Sequence, residues 1–151
     1  MNGDMAFEVF KLSSSGLCCT QIMFKMALEE DDGENTDLLR AFRGMCGGIN
    51  HRGKTCGVLT AGIGIIGLYS ANGNVGEACR DDFREMMDEY MDWFENEFKS
   101  MDCRDLVGIQ NISDFGEKIS YPVKCGEIIQ KSYTKLQDIL DQHGYELGGR
   151  N

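Results

Sequence analysis

The stretch from Cys56 to Ala71, "CGVLTAGIGIIGLYSA", contains no charged residue and limits what this chain can fold into more than any other feature. Its length of 16 residues falls short of the ~20 apolar residues that cross a bilayer. The same length is typical of a helix buried in a protein core. We therefore expect a core helix over this stretch and no membrane insertion.

Small residues recur every three or four positions along this stretch, at Gly57, Ala61, Gly64 and Gly67. On a helix they form one face nearly bare of side chains, which a neighbouring backbone could approach closely. Each glycine inside a helix costs ~0.5–1 kcal/mol relative to alanine. Repeated glycine therefore indicates a geometric need, which is close packing or a bound group.

The rest of the sequence is dominated by apolar residues at helical spacing, and no segment alternates long enough to predict a strand. The serines of "SSSG" can cap a helix, and Pro122 suits a first helical turn. The fold class predicted is all-α: a single domain over residues 1–151, a compact bundle of about five to six helices around the central glycine-rich helix. The other helices are expected at about 3–12, 17–30, 35–47, 76–101 and 122–142.

The charge balance excludes one class of partner. The chain has 25 acidic and 15 basic residues and a net charge of -10, whereas nucleic-acid binding needs clustered Lys and Arg. The N-terminal sequence lacks a basic segment followed by an apolar one, so we expect a cytoplasmic protein. The acidic residues of 80–97 are interpreted as a solvated helix face, with a docking surface for a basic partner as the alternative.

Seven cysteines are a high count for a chain of this length. A permanent disulfide framework is not expected in a reducing cytosol, and the absence of C-x-x-C argues against a zinc ribbon or a thioredoxin-type pair. Four of the seven follow a plausible helix start, where unpaired N–H groups stabilise a thiolate and lower its pKa. They are candidates for reactive or metal-ligating sulfur, or else small residues that fill tight helix junctions. These four are Cys19, Cys56, Cys103 and Cys125.

Four segments of the chain resemble, in order, the segments of a family of small bacterial and archaeal proteins called C_GCAxxG_C_C, described as redox-active. They are "GLCCTQ", "FRGMCGGINHRGKTCGVLTAGIGIIGL", "FKSMDCRDLVG" and "YPVKCGEII". The similarity covers about residues 7–140 and implies an all-helical fold. It picks out the same four cysteines, as catalytic residues or as metal ligands, and places Gly57 beside a bound cofactor. The resemblance assigns no role to the three extra cysteines, Cys18, Cys46 and Cys79.

The sequence departs from the family signature at two positions. Val58 stands where alanine is usual and Ala61 where glycine is usual, and both narrow the space beside Cys56. The family is also similar to a domain of the split-Soret cytochromes, which implies an iron–sulfur cluster as one cofactor. Zinc is the other, because four thiolates suit either group. No heme site carries over, because C-x-x-C-H is absent.

Three functions remain open from the sequence. The four cysteines could carry thiol–disulfide or electron-transfer chemistry as two exchangeable pairs. They could hold a metal, or they could be packing residues of a helical interaction module. His51 could serve Cys56 as a base or ligand, but the favoured expectation is an exposed loop residue. A redox protein partner and a homodimer are both compatible with the sequence, which specifies neither.

Overall fold

The computed structural model describes residues 3–107 and 120–150, and it describes the backbone but not the side chains of 120–124. Within these residues there are seven α-helices and one short 3-10 helix, Arg43–Met45, and no strand. An isolated antiparallel bridge joins Thr55 to Asp102. The helices are α1 (Gly3–Ser14), α2 (Cys19–Glu30), α3 (Thr36–Phe42), α4 (Gly57–Ser70), α5 (Phe83–Phe98), α6 (Cys103–Val107) and α7 (Ser120–Gln142).

Helix α4, the glycine-rich stretch, lies at the centre of the bundle and packs against α2, α5 and α7. Leu59, Ile65 and Ile66 are at most 1% exposed, so apolar side chains of α4 are removed from water on several sides. The predicted all-α bundle around this helix is confirmed. Across the described part of the chain, no helix is both long and apolar enough to span a bilayer.

Two glycines of α4, Gly62 and Gly64, make room for aromatic side chains, whereas the sequence predicted room for a neighbouring backbone. A Cβ at Gly62 would overlap the ring of Tyr90, and one at Gly64 would overlap the ring of Phe24. These aromatic residues, from α5 and α2, are 0% and 1% exposed. Because Gly62 and Gly64 have no side chain, the rings of Tyr90 and Phe24 can occupy the space beside α4.

The predicted boundaries hold within two residues for α1, α2 and α7, but the long acidic helix begins later than expected. Residues 76–82 are irregular, and α5 starts only at Phe83. Gly76 has a positive φ of 85°, and Arg80 N donates to Ser70 O at 2.7 Å, so the chain turns back towards the end of α4. A helix start at Cys103 was predicted, but the extent of the short helix α6 was not, because five residues carry little periodicity.

The acidic face of α5 is partly exposed to solvent, as expected, and partly in contact with His143. Glu85 and Asp92 are exposed. Asp82 Oδ2 and Glu89 Oε1 instead lie 3.5 and 3.4 Å from the ring nitrogens of His143, just after the end of α7. Part of the acidic surface therefore joins α5 to the C-terminal segment.

Candidate functional site

Cys56 occupies the N-cap position of α4 and is 6% exposed. Its backbone N donates to Met101 O at 2.8 Å. Its side chain makes no N-cap hydrogen bond. Burial raises the pKa of its thiol, and the backbone N–H groups of Val58 and Leu59 oppose this rise, so the sulfur of Cys56 lies near the start of the central helix.

Cys103 begins α6 and is 5% exposed. Its backbone N donates to Lys54 O at 2.6 Å, next to the Thr55–Asp102 bridge, so the bridge aligns the segment before Cys56 with the segment before Cys103. Gly48 packs tightly on the other side, since a Cβ there would lie 2.7 Å from Cys103 Cβ. The backbone bridge therefore brings two of the predicted cysteines to one junction.

Cys19 is the first residue of α2 and is 5% exposed. A Cβ at Gly57 would lie 2.9 Å from Cys19 Sγ and would overlap Thr20 Oγ1. The absence of a side chain at Gly57 thus lets the start of α2 approach the start of α4. The space that the sequence assigned to a cofactor beside Gly57 is filled by these two side chains.

Cys125 is buried at 8% exposure, but it does not lie at a helix start. It is the sixth residue of α7, because the helix begins at Ser120. It packs with Cys103 and Val107 in a small apolar cluster apart from the main core. The helix-start prediction is therefore correct in position for Cys19, Cys56 and Cys103 and wrong for Cys125.

The expected lowering of the thiol pKa is wrong for Cys56 and Cys103. Burial raises the pKa of Cys56 far above its ordinary value, the charge of Cys19 raises it further, and the N–H groups of Val58 and Leu59 offset only part of this. Burial, followed by the charge of Cys19, raises the pKa of Cys103 to about 11. Desolvation outweighs the helix start here. Since the charge of Cys19 acts on the pKa of both other thiols, and the charge of Cys103 acts on that of Cys56, the three sulfurs lie within electrostatic reach of one another.

The sequence reasoning missed a disulfide between Cys18 and Cys46, whose Cα atoms are 6.3 Å apart. Cys18 is the N-cap of α2 and is partly exposed, whereas Cys46 follows the 3-10 helix and is 2% exposed. No spacing signal predicts this link, because the pairing depends on how the segment after α3 folds back over α2. The third extra, Cys79, is exposed in the loop before α5.

His51 lies in an unusual turn between Cys46 and Cys56. Every residue from 47 to 51 has a positive φ, between 54° and 73°, including the non-glycine residues Ile49 and Asn50. Such backbone is costly for non-glycine residues and persists where surrounding structure imposes it. His51 is partly buried, which corrects the expected exposed position. Burial and then the Arg43 charge lower its pKa.

A metal centre is not supported by the arrangement of side chains. Within residues 3–107 and 120–150, excluding the side chains of 120–124, no three His, Cys, Asp or Glu side chains converge as ligands. Zinc or an iron–sulfur cluster would need such a convergence. Cys19 and Cys56 belong to the main core, whereas Cys103 and Cys125 belong to a separate cluster.

The structure is therefore that of an all-α protein rich in buried cysteines, three of which, Cys19, Cys56 and Cys103, lie at helix starts. Comparison with protein families matches residues 17–139 to the family described as "Putative redox-active protein (C_GCAxxG_C_C)". The match covers most of the sequence, and the chain belongs to this family. Comparison with curated proteins and with solved structures found no match.

The raised pKa of Cys103 predicts that stability falls at alkaline pH. An unfolded cysteine ionises near pH ~8.5, whereas burial and the Cys19 charge hold the folded pKa at about 11. Between these values the unfolded state binds fewer protons than the folded state, so the free energy of unfolding decreases as pH rises. We expect Cys103→Ala to lessen the fall between about pH 8 and 10 in urea unfolding under reductant. An equal fall in both proteins would contradict this assignment.

Proposed function

We propose that this protein is a thiol–disulfide redox protein whose buried cysteines work as two pairs, Cys19 with Cys56 and Cys103 with Cys125. The observation that supports the proposal is proximity within two groups: Cys19, Cys56 and Cys103 lie within electrostatic reach of one another, and Cys103 packs with Cys125. Oxidation of each pair would transfer two electrons to an acceptor and release two protons, with one S–S bond formed. Reduction would reverse the step.

We pair each cysteine with the cysteine that affects its pKa most or that packs against it in the same cluster. Among its cysteine neighbours, Cys56 is influenced most by Cys19, and Gly57 keeps the starts of α2 and α4 in contact. Cys103 and Cys125 share a separate apolar cluster. Disulfide formation needs Cβ atoms about 3.5–4.5 Å apart, so neighbours that already pack together need the smallest backbone movement.

Burial favours this chemistry over direct reaction with solutes. Each of the four cysteines is at most 8% exposed, and the raised pKa values of Cys56 and Cys103 keep these thiols protonated near neutral pH. Thiols of this kind react slowly with reagents in solution. Electrons must therefore enter by exchange within the protein or through local opening of the bundle.

The second candidate function is metal binding by the same four cysteines, as zinc or iron–sulfur ligands. The electrostatic proximity of Cys19, Cys56 and Cys103 supports it, because a metal would offset the repulsion among neighbouring thiolates. It requires the sulfurs to move together, whereas the redox function requires only pairwise approach. We therefore place the redox function first.

The test uses a variant that carries Cys18→Ser, Cys46→Ser and Cys79→Ser, so that only the four buried cysteines remain. We expect diamide to lower its denatured mass by two or four hydrogens at the slow rate of local opening of the bundle, and reductant to restore the mass. Peptide mapping should link Cys19 to Cys56 or Cys103 to Cys125. A mass that stays at the reduced value in folded protein would contradict the proposal.

A further inference from the structure

We propose that the Cys18–Cys46 disulfide is an exchange site for an external dithiol, with Cys18 as the attacked sulfur and Cys46 as the resolving cysteine. Neither residue belongs to the four cysteines assigned above. The proposal extends the proposed function by naming the class of partner, a protein dithiol. It rests on that function only for the destination of the electrons after Cys18 and Cys46 have been reduced.

The two sulfurs differ in access. Cys18 is partly exposed at the start of α2, whereas Cys46 is 2% exposed. A thiolate must reach the sulfur that it attacks, so exposure selects the site of attack in thiol–disulfide exchange. An external thiol can reach Cys18 from solvent, whereas the bundle covers Cys46.

The surroundings of Cys18 suit a thiolate. Cys18 precedes a helix of 12 residues, whose first N–H groups present partial positive charge. Arg43 Nη1 donates to Gln21 Oε1 at 3.1 Å, and Cys18 N donates to the same oxygen at 3.2 Å. The guanidinium is held there by a second bond to Gly16 O at 3.1 Å. A helix start and a fixed cation together stabilise negative charge on Cys18 once it is reduced.

Thr20 provides a partner for the sulfur that leaves. Its Oγ1 lies 3.4 Å from Cys46 Sγ and 3.9 Å from Cys19 Sγ, and the residue is 0% exposed. The hydroxyl can donate to Cys46 Sγ as this sulfur gains negative charge, which lowers the cost of releasing it inside the protein. The same hydroxyl lies between the disulfide and the first buried cysteine.

The exchange balances as two thiol–disulfide steps. A thiolate of the partner attacks Cys18 Sγ, forms a mixed disulfide with it and releases Cys46 as a thiolate, which takes up a proton. The second thiolate of the partner then attacks the partner's own sulfur in the mixed disulfide and releases Cys18. The partner leaves oxidised, and Cys18 and Cys46 are both reduced.

The first test uses reduced glutathione and the oxidised protein carrying Cys79→Ser, which removes the exposed cysteine of the α5 loop. After an acid quench, peptide mapping should place the mixed disulfide on Cys18. A mixed disulfide mainly on Cys46 would overturn the assignment. This measurement needs no change at either cysteine of the pair, so it does not depend on the folding of such a variant.

Paired variants then separate the roles, again with Cys79→Ser. With oxidised glutathione, Cys46→Ser should form a lasting adduct at Cys18, and Cys18→Ser should form one at Cys46 at least about tenfold more slowly. Equal rates in folded proteins would overturn the proposal. Arg43→Met should shift the pH profile of Cys18 alkylation to higher pH in the Cys46→Ser background, and an unchanged profile would contradict the role given to Arg43. Failure of the buried pairs to oxidise would leave all these results unaffected.

Discussion

Replacing Cys56 with serine is expected to abolish reversible oxidation of the Cys19–Cys56 pair while helical content stays unchanged. Serine is a preferred N-cap residue, and its hydroxyl can accept a hydrogen bond from the first turn of α4, where Cys56 makes no side-chain cap bond. The start of α4 therefore loses no cap in this variant, and a serine cap would stabilise it by about 1 kcal/mol. What is lost is the sulfur beside Cys19, and with it the disulfide.

The measurement is the denatured mass after diamide, in the background that lacks Cys18, Cys46 and Cys79. Cys56→Ser should leave at most the Cys103–Cys125 pair able to oxidise. A separate control compares Cys79→Ser with the native chain, because Cys79 is exposed and, within the part of the chain that the structure describes, bonds to Asn72. This control should leave the oxidation unchanged. Three cysteines remain in Cys56→Ser, so at most one disulfide can form. If the parent background forms a single disulfide and Cys56→Ser forms one in the same yield, Cys56 takes no part in it.

The second large effect concerns stability. Gly62→Ala is expected to lower the free energy of unfolding by about 3 kcal/mol, since a Cβ there overlaps the Tyr90 ring. Tyr90 is 0% exposed, and its hydroxyl donates to Val58 O at 3.0 Å. The ring cannot move towards solvent without breaking this bond and opening the contact between α4 and α5.

Gly67→Ala is the matched control in the same helix. A Cβ at Gly67 would meet only Ala71 Cβ, at an ordinary distance of 3.6 Å. The change should therefore stabilise the protein by up to about 1 kcal/mol, the helix-propensity gain of alanine over glycine. Urea unfolding of both variants measures the difference. Equal stabilities would show that the ring of Tyr90 does not fill the space beside Gly62.

Much of the architecture could be predicted from the sequence because the patterns are strong. The uncharged stretch before Ala71 is too short for a membrane and too apolar for a surface, so a core helix was the remaining choice. The apolar residues Ile128, Leu136 and Leu140 lie one or two turns apart, and all are buried in α7. The start of α5 was predicted too early because acidic and apolar residues continue through residues 76–82. In the structure, the positive φ of Gly76 and a turn prevent a helix there.

The site was harder to predict, because it depends on contacts between distant segments. Local helix starts identified three of the cysteines, but burial reverses the pKa shift that a helix start alone would give. The disulfide partner of Cys18 lies beyond α3 and cannot be read from spacing. The left-handed turn at 47–51 includes Ile49, a β-branched residue that sequence rules place elsewhere.

The most direct test of the central claim measures the native mass of the anaerobically purified protein before any oxidant is added, and its denatured mass after treatment with diamide. The proposed function predicts a native mass without bound metal and a denatured mass at least four hydrogens below the fully reduced value. Two of these hydrogens come from Cys18–Cys46, and the others come from the buried pairs. A native mass raised by zinc or an iron–sulfur cluster, or a loss of only the two hydrogens of Cys18–Cys46, would contradict a redox role for the buried cysteines.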